Sequence, residues 1–377
     1  RLARLERARE VCVDVPDRRR LDIVRALSVE LQLHAGAEPS PETLAELEEL
    51  SERSEDADDP IQRARALTYL AARAVELPLS GAQRLRLTRR AHQATVESRD
   101  PRLVLEGLEL LLAASLAAGL PDEAEDLRWA LAREAARTAR PRSQWAASLV
   151  AAALALARGE DEEGDRAAEE ALNLGLELGI ADATGAYGVH AVAAGMLRGD
   201  LSGIAPLIDQ AVEMYPKVAA WPAAAALARA QALDPSVDAD ADPRREEVDE
   251  LLGRFVERRR SQVILAFDRP GLCLAAAAAW GLGDHPRASE VAEIVLDGLP
   301  SDPDTLVVVG VGAATLGPVE LYRGLALSTL GRTTDAVTAL DAAATLTDRL
   351  GWVPWAATAE TLASAVSHDG DGWVGSR

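Results

Sequence analysis

The chain has one lysine in 377 residues, Lys217. A phosphate-cradling loop of the form Gly-x-x-x-x-Gly-Lys-Ser/Thr needs its lysine behind glycines. Lys217 instead follows Met214-Tyr215-Pro216, so nucleotide chemistry of that type is excluded from this chain. Positive charge is scarce in general: 40 Lys and Arg stand against 61 Asp and Glu, a net charge of −21. Nucleic-acid binding draws its affinity from cations that neutralise phosphates, so no direct nucleic-acid contact is expected. Cysteine is nearly absent. Cys12 and Cys273 lie far apart in apolar surroundings (Val11-Cys12-Val13, Leu272-Cys273-Leu274), read as buried free thiols in a reducing compartment. No uniformly apolar window of about 20 residues and no signal peptide is present, so neither a membrane span nor export is expected, and the location is read as cytoplasmic.

Signatures of chemistry are equally thin. The run Asp304-Thr305-Leu306-Val307-Val308-Val309-Gly310-Val311-Gly312 begins like a dinucleotide fingerprint, but the third glycine position is Thr315 and Gly317-Pro318 interrupts any helix there. It reads as a Val-rich, partly buried and briefly extended connection. Asp238-x-Asp240-x-Asp242 starts like a calcium loop, yet Pro243 stands where the sharp turn needs glycine and Asp249 where it needs glutamate. His34, His92, His190, His285 and His368 are scattered, without metal-ligand spacing. The expectation is no cofactor, no metal, no catalytic residue and no enzyme activity in this chain.

What is abundant is Ala, Leu and Val, in stretches closed by glycine turns. Ala and Leu are among the strongest helix formers because they lose little side-chain freedom there. Gly119, Gly159 and Gly199 follow one another at 40 residues, and Gly283 and Gly331 continue the series with longer loops. Each period reads as two helices. Residues Ala124, Leu127, Leu131 and Ala135 form one helical stripe, and Ala336, Leu340, Ala343 and Leu350 another. Starts are marked by a cap residue before proline: Ser40-Pro41, Asp59-Pro60, Asp100-Pro101, Asp242-Pro243 and Gly317-Pro318. Asp122 with Glu125 has capping-box form.

The fold class that follows is all-α: a right-handed superhelical solenoid of antiparallel helix pairs, tetratricopeptide-like, with a period of about 40. The pairs map to 60–78 with 81–99, 101–118 with 122–139, 142–158 with 161–179 and 182–198 with 200–215. They continue as 219–233 with 243–260, 262–282 with 286–299, and 317–330 with 333–350, and the helix 354–367 caps the stack. Residues 59–377 form this repeat region. Residues 1–58 read as irregular helices continuing an upstream domain, since the chain begins at Arg1 already in a helical pattern.

Aromatics are only 3% of the chain, so their placement is informative. Trp145, Tyr187 and Trp221 fall in the first turns of three successive first helices, 42 and 34 residues apart. First helices line the concave face of such stacks, and aromatic anchors there suit an extended peptide, a protein or a small-molecule effector. The other reading is that they fill gaps between Ala-rich helices. In acidic surroundings, exposed aromatic faces would favour a cationic partner. Trp352 and Trp355 flank the last turn and would seal the core.

The C-terminal segment carries a resemblance. Leu316-Gly317-Pro318-Val319-Glu320-Leu321-Tyr322-Arg323-Gly324-Leu325-Ala326 leads into Leu330-Gly331-Arg332, Asp335-Ala336-Val337, Leu340, Ala343, Leu350-Gly351 and Pro354-Trp355. Over about 310–360 this resembles the closing repeats of large bacterial signal-transduction ATPases, both LuxR-type transcriptional regulators and cyclase-fused ATPases. Those proteins place a nucleotide-switch ATPase ahead of a tetratricopeptide-like sensor and scaffold region. The P-loop, a cyclase domain and a C-terminal helix-turn-helix are missing from this chain. The resemblance therefore implies one non-catalytic regulatory module that contacts neighbouring domains of the same polypeptide. The alternative is a free-standing helical-repeat adaptor for a peptide or protein.

Overall fold

Glycine turns set the chain direction. At the end of the helix Pro141–Arg158, Gly159 takes φ 83°, a left-handed conformation that carries no Cβ penalty only in glycine. The amide of Gly159 then reaches the Leu156 carbonyl at 3.0 Å, and that of Glu160 reaches Ala155 at 2.9 Å. The same wrapped closure recurs at Gly119, Gly199 and Gly331, so carbonyls that the helix leaves open are satisfied inside each turn.

The computed structural model describes residues 60–74, 79–233, 242–261 and 267–367. The irregular helices expected over 1–58, Cys12, His34, His368 and the start of the acidic loop at Asp238 lie outside these residues. Fifteen helices run through the described residues. They are α1 (Pro60–Ala74), α2 (Gly81–Ser98), α3 (Pro101–Ala117), α4 (Pro121–Arg137), α5 (Pro141–Arg158), α6 (Asp161–Glu177), α7 (Ala183–Arg198) and α8 (Ala205–Met214). After these come α9 (Ala220–Gln231), α10 (Pro243–Ser261), α11 (Asp268–Leu282), α12 (Pro286–Gly298), α13 (Val319–Thr329), α14 (Thr333–Arg349) and α15 (Val353–Ser367). The fold is an all-α solenoid of helix pairs.

Two bodies divide the chain. One holds α1, α2 and α3 as far as Leu111. Its core is Ala64, Leu67 and Ala71 against Ala91, Ala94 and Leu103. The other runs from Leu112 to the C-terminus and adds residues 80–82. Within it α5 packs on α6, α9 on α10, α11 on α12 and α13 on α14, while the first helices α9, α11 and α13 succeed one another. First and second helices differ sharply in burial. Twelve of the eighteen residues of α5 are buried, against three of seventeen in α4. A helix apolar all round must be covered all round, so the first helices are sandwiched and the second ones face solvent on one side.

Several local expectations shift. The start marked at Asp122 lies one residue earlier, at Pro121, and no side chain caps it, because proline at the first position needs no amide partner. Asp100 and Asp242 do act as caps: their Oδ1 atoms accept from the Arg102 and Arg244 amides at 2.9 and 3.0 Å. At Gly317-Pro318 the helix opens one residue later than marked, with Pro318 and not Gly317 in the cap position of α13. The same dipeptide ends the second strand of an antiparallel hairpin, β1 (Leu306–Val309) with β2 (Ala314–Pro318). Val308 faces Thr315 and Val309 faces Ala314, with a one-residue irregularity toward Leu306 and Pro318. The Val-rich segment is thus extended, as its composition suggests, but β2 is buried throughout, which makes it core and not connection.

Two turns among the described residues break the glycine rule, at Arg99 with φ 56° after α2 and at Ala139 after α4. Ala139 closes α4 with φ 50° and the same wrapped bond, Arg140 N to Ala135 O at 2.8 Å. Left-handed alanine carries steric strain that glycine relieves, partly offset by glycine's greater freedom when unfolded. Ala139→Gly is expected to raise stability by roughly 0.5–1 kcal/mol in urea titrations. Gly159→Ala is expected to lower it by about 1 kcal/mol, since the added Cβ would also lie 3.1 Å from Pro354 Cγ.

Candidate ligand-binding face

Trp145 sits in the first turns of α5, 5% exposed, in a buried cluster with Leu149, Ala171, Ala183 and Ala313. A Cβ on Gly175 would lie 2.8 Å from Trp145 Nε1, so the indole rests in a socket that glycine leaves open. Its Nε1 is buried and has no hydrogen-bond acceptor. Trp221, 8% exposed, opens α9 and stacks on Tyr215 with ring centroids 6.2 Å apart. Its socket is Gly188 on α7, where a Cβ would stand 3.3 Å from the ring. Tyr187 is half-buried against Ala152, Ala167 and Ala168. The three aromatics occupy three separate clusters and do not meet.

What Trp145 and Trp221 share is the β-hairpin. Ala313, at its tip, packs in the Trp145 cluster. Val309 and Leu316 face Trp221 across an apolar cavity of about 30 Å³ that Val189 and Val192 on α7 also line. Gly312 fits where a Cβ would collide with Val150, 2.8 Å away, and crowd Leu116 and Leu112. The helix expected to cap the stack, α15, is more than an end cap: it also lies against α5 and α7, with Pro354 against Gly159. Trp352 and Trp355 are fully buried as expected, the latter over Gly317.

Sequence reasoning missed one polar cluster. His190 on α7 is 3% exposed, and neither ring nitrogen has a hydrogen-bond partner. Asp165 on α6 stands 3.7 Å from its Nε2, beyond hydrogen-bond length, while Asp165 is itself held by Arg198 at 2.7 Å. Burial pushes the His190 pKa below its ordinary value, and the attraction of Asp165 only partly opposes this. No local spacing connects His190 with Asp165, so only the packing of α6 on α7 shows the group. Among the described residues no cluster of three or more His, Cys, Asp or Glu could hold a metal ion, and no helix is long and apolar enough to cross a membrane.

No protein-family model matches the chain, and no curated protein matches its sequence. Among solved structures it is similar to yeast Tom70, with a TM-score of 0.43 and 10% sequence identity. That alignment covers 94% of this chain and 66% of the Tom70 chain.

Two outcomes are expected from these environments. Trp221→Ala, which empties a site sealed by Gly188, Tyr215 and the hairpin, is expected to cost about 3–5 kcal/mol of stability in urea titrations. His190 binds protons more weakly folded than unfolded, so its share of stability is present above the ordinary histidine value of 6.5 and is lost as pH falls below it. Replacing it by Leu should flatten the pH dependence of the melting temperature between about pH 5 and 7. An unchanged slope would place the titration elsewhere.

Proposed function

We propose that this chain is a non-catalytic interaction module, a sensor or scaffold repeat region of a larger bacterial signal-transduction protein or transcriptional regulator. Its first-helix face takes an extended peptide or a small effector and biases a neighbouring domain. The observation that supports this reading is that the face already holds an extended segment, the hairpin, against Trp145 and Trp221. Adjacent helices thus present a surface shaped for β backbone and small apolar side chains. The resemblance of residues 310–360 to closing repeats of signal-transduction ATPases adds the context, and those residues build β2, α13, α14 and the start of α15.

Two measurements test the parts separately. For the context, the coding sequence upstream of Arg1 is expected to carry a Gly-x-x-x-x-Gly-Lys-Ser/Thr motif, while the isolated chain shows no micromolar ATP binding by calorimetry. A reading frame that opens near Arg1 would remove the regulator context. For the interaction, the purified chain is probed on an array of synthetic extended peptides that mix apolar and Arg residues. The net charge of −21 favours the Arg-bearing ones. Retention that weakens by about ten-fold in Trp145→Leu supports the face as the site. A chain that retains no peptide on the array contradicts it.

A further inference from the structure

Positive charge gathers in one stretch of this acidic chain. Residues 60–96 hold seven Arg and a single acid, Glu76, although the net charge of the whole is −21. Across the second body, arginines find carboxylates within the fold: Arg128 pairs with Glu125, Arg198 with Asp165, Arg287 with Asp249 and Arg332 with Asp335. In the first body, Arg65 on α1 and Arg86 on α2 are exposed and join no ion pair among the described residues. Arg63 reaches Glu97 only at 3.7 Å.

The exposed arginines of α2 share one side of the helix. Arg86, Arg89, Gln93 and Val96 follow at spacings of three and four, and all are exposed. The other side, with Thr88, Ala91 and Thr95, is buried. Val96 is 52% exposed, a large apolar side chain left in water beside cations. On α1 the exposed positions Ile61, Arg65 and Tyr69 repeat the mixture.

That mixture selects among anions. Arginines alone suit any polyanion, whereas Arg and Tyr among apolar side chains are the anchors of protein interfaces. A nucleic acid needs many phosphates neutralised along its length, and outside this stretch the chain is acidic. An exposed ion pair contributes little alone, so the apolar contact is what holds a partner in place.

We propose that the exposed side of α2 docks an acidic protein segment, whose carboxylates pair with Arg86 and Arg89 while an apolar side chain covers Val96. The planar guanidinium fork suits carboxylates in pairs. This docking does not depend on the first-helix face being a binding surface.

Fluorescence anisotropy tests it, with the intact chain titrated into a labelled synthetic peptide of Glu, Ala and Leu. The peptide is expected to bind, about ten-fold more weakly when salt rises from about 50 to 300 mM. Arg86→Glu with Arg89→Glu is expected to weaken binding by at least about ten-fold, because like charges then face each other. Val96→Ser is expected to weaken it by about three-fold. These positions are exposed, so the variants keep the parent's urea midpoint within error. Arg140→Glu with Arg142→Glu makes the same change in net charge at exposed positions by the start of α5, and is expected to leave binding as it was. No binding at low salt overturns the proposal. So does equal weakening by both arginine pairs, which would make net charge and not the α2 face the cause. An unchanged affinity in Val96→Ser would reduce the contact to charge alone and overturns the docked segment. Tighter binding of a single-stranded oligonucleotide or of anionic vesicles through the same arginines overturns the polypeptide partner. None of these results bears on the peptide array, whose Arg-bearing peptides probe the other face.

Discussion

Two-sided burial of the first helices is the constraint from which the rest of the second body follows. A helix covered on every side by neighbours must approach them closely, and alanine makes that possible: α9 is Ala220-Trp221-Pro222-Ala223-Ala224-Ala225-Ala226-Leu227-Ala228, all buried. Such a layer has no room for a large ring unless the facing helix gives up a side chain. The glycines at 175, 188 and 317 do this for Trp145, Trp221 and Trp355. The rarity of aromatics and the presence of glycine inside helices α6 and α7 are therefore one fact seen from two sides.

Solenoids ordinarily touch only their neighbours, so stability adds up repeat by repeat. The hairpin departs from that rule. It joins α5 and α7 to α11 and α13 in one packed unit, and α15 returns to α5 and α7. Loss of the C-terminal pair would expose apolar surface on helices more than a hundred residues earlier, so the ends of this body are energetically coupled.

Legibility followed the range of the interaction. Glycine turns and proline starts are local, so the helix pairs could be read from residues a few positions apart, and their boundaries moved little in the structure. Asp122 was misread because proline at position 121 already satisfies the helix start without a side-chain cap. The hairpin was half legible. Its run of valines implied extended backbone, but both of its faces are covered, which removes the alternation of apolar and polar residues that marks a half-buried strand. Nothing near Gly312 names Val150 as its partner. The aromatic positions were legible as first-helix residues, whereas the burial of Trp145 and Trp221 came from a segment distant in sequence. The His190, Asp165 and Arg198 cluster was invisible for the same reason.

An extended closing element, in place of another helix, has a geometric reason. A helix with its side chains is about 10–12 Å across, whereas a ribbon seen along its face is one backbone thick with side chains alternating to either side. Only the thinner object fits between first helices already packed at alanine spacing. A partner of the kind proposed for that face would meet the same limit, which disfavours helical partners and bulky side chains and favours backbone with Gly, Ala and Val. Selectivity on this face would arise from exclusion by size, with the net charge of −21 acting on the flanking residues that remain in water.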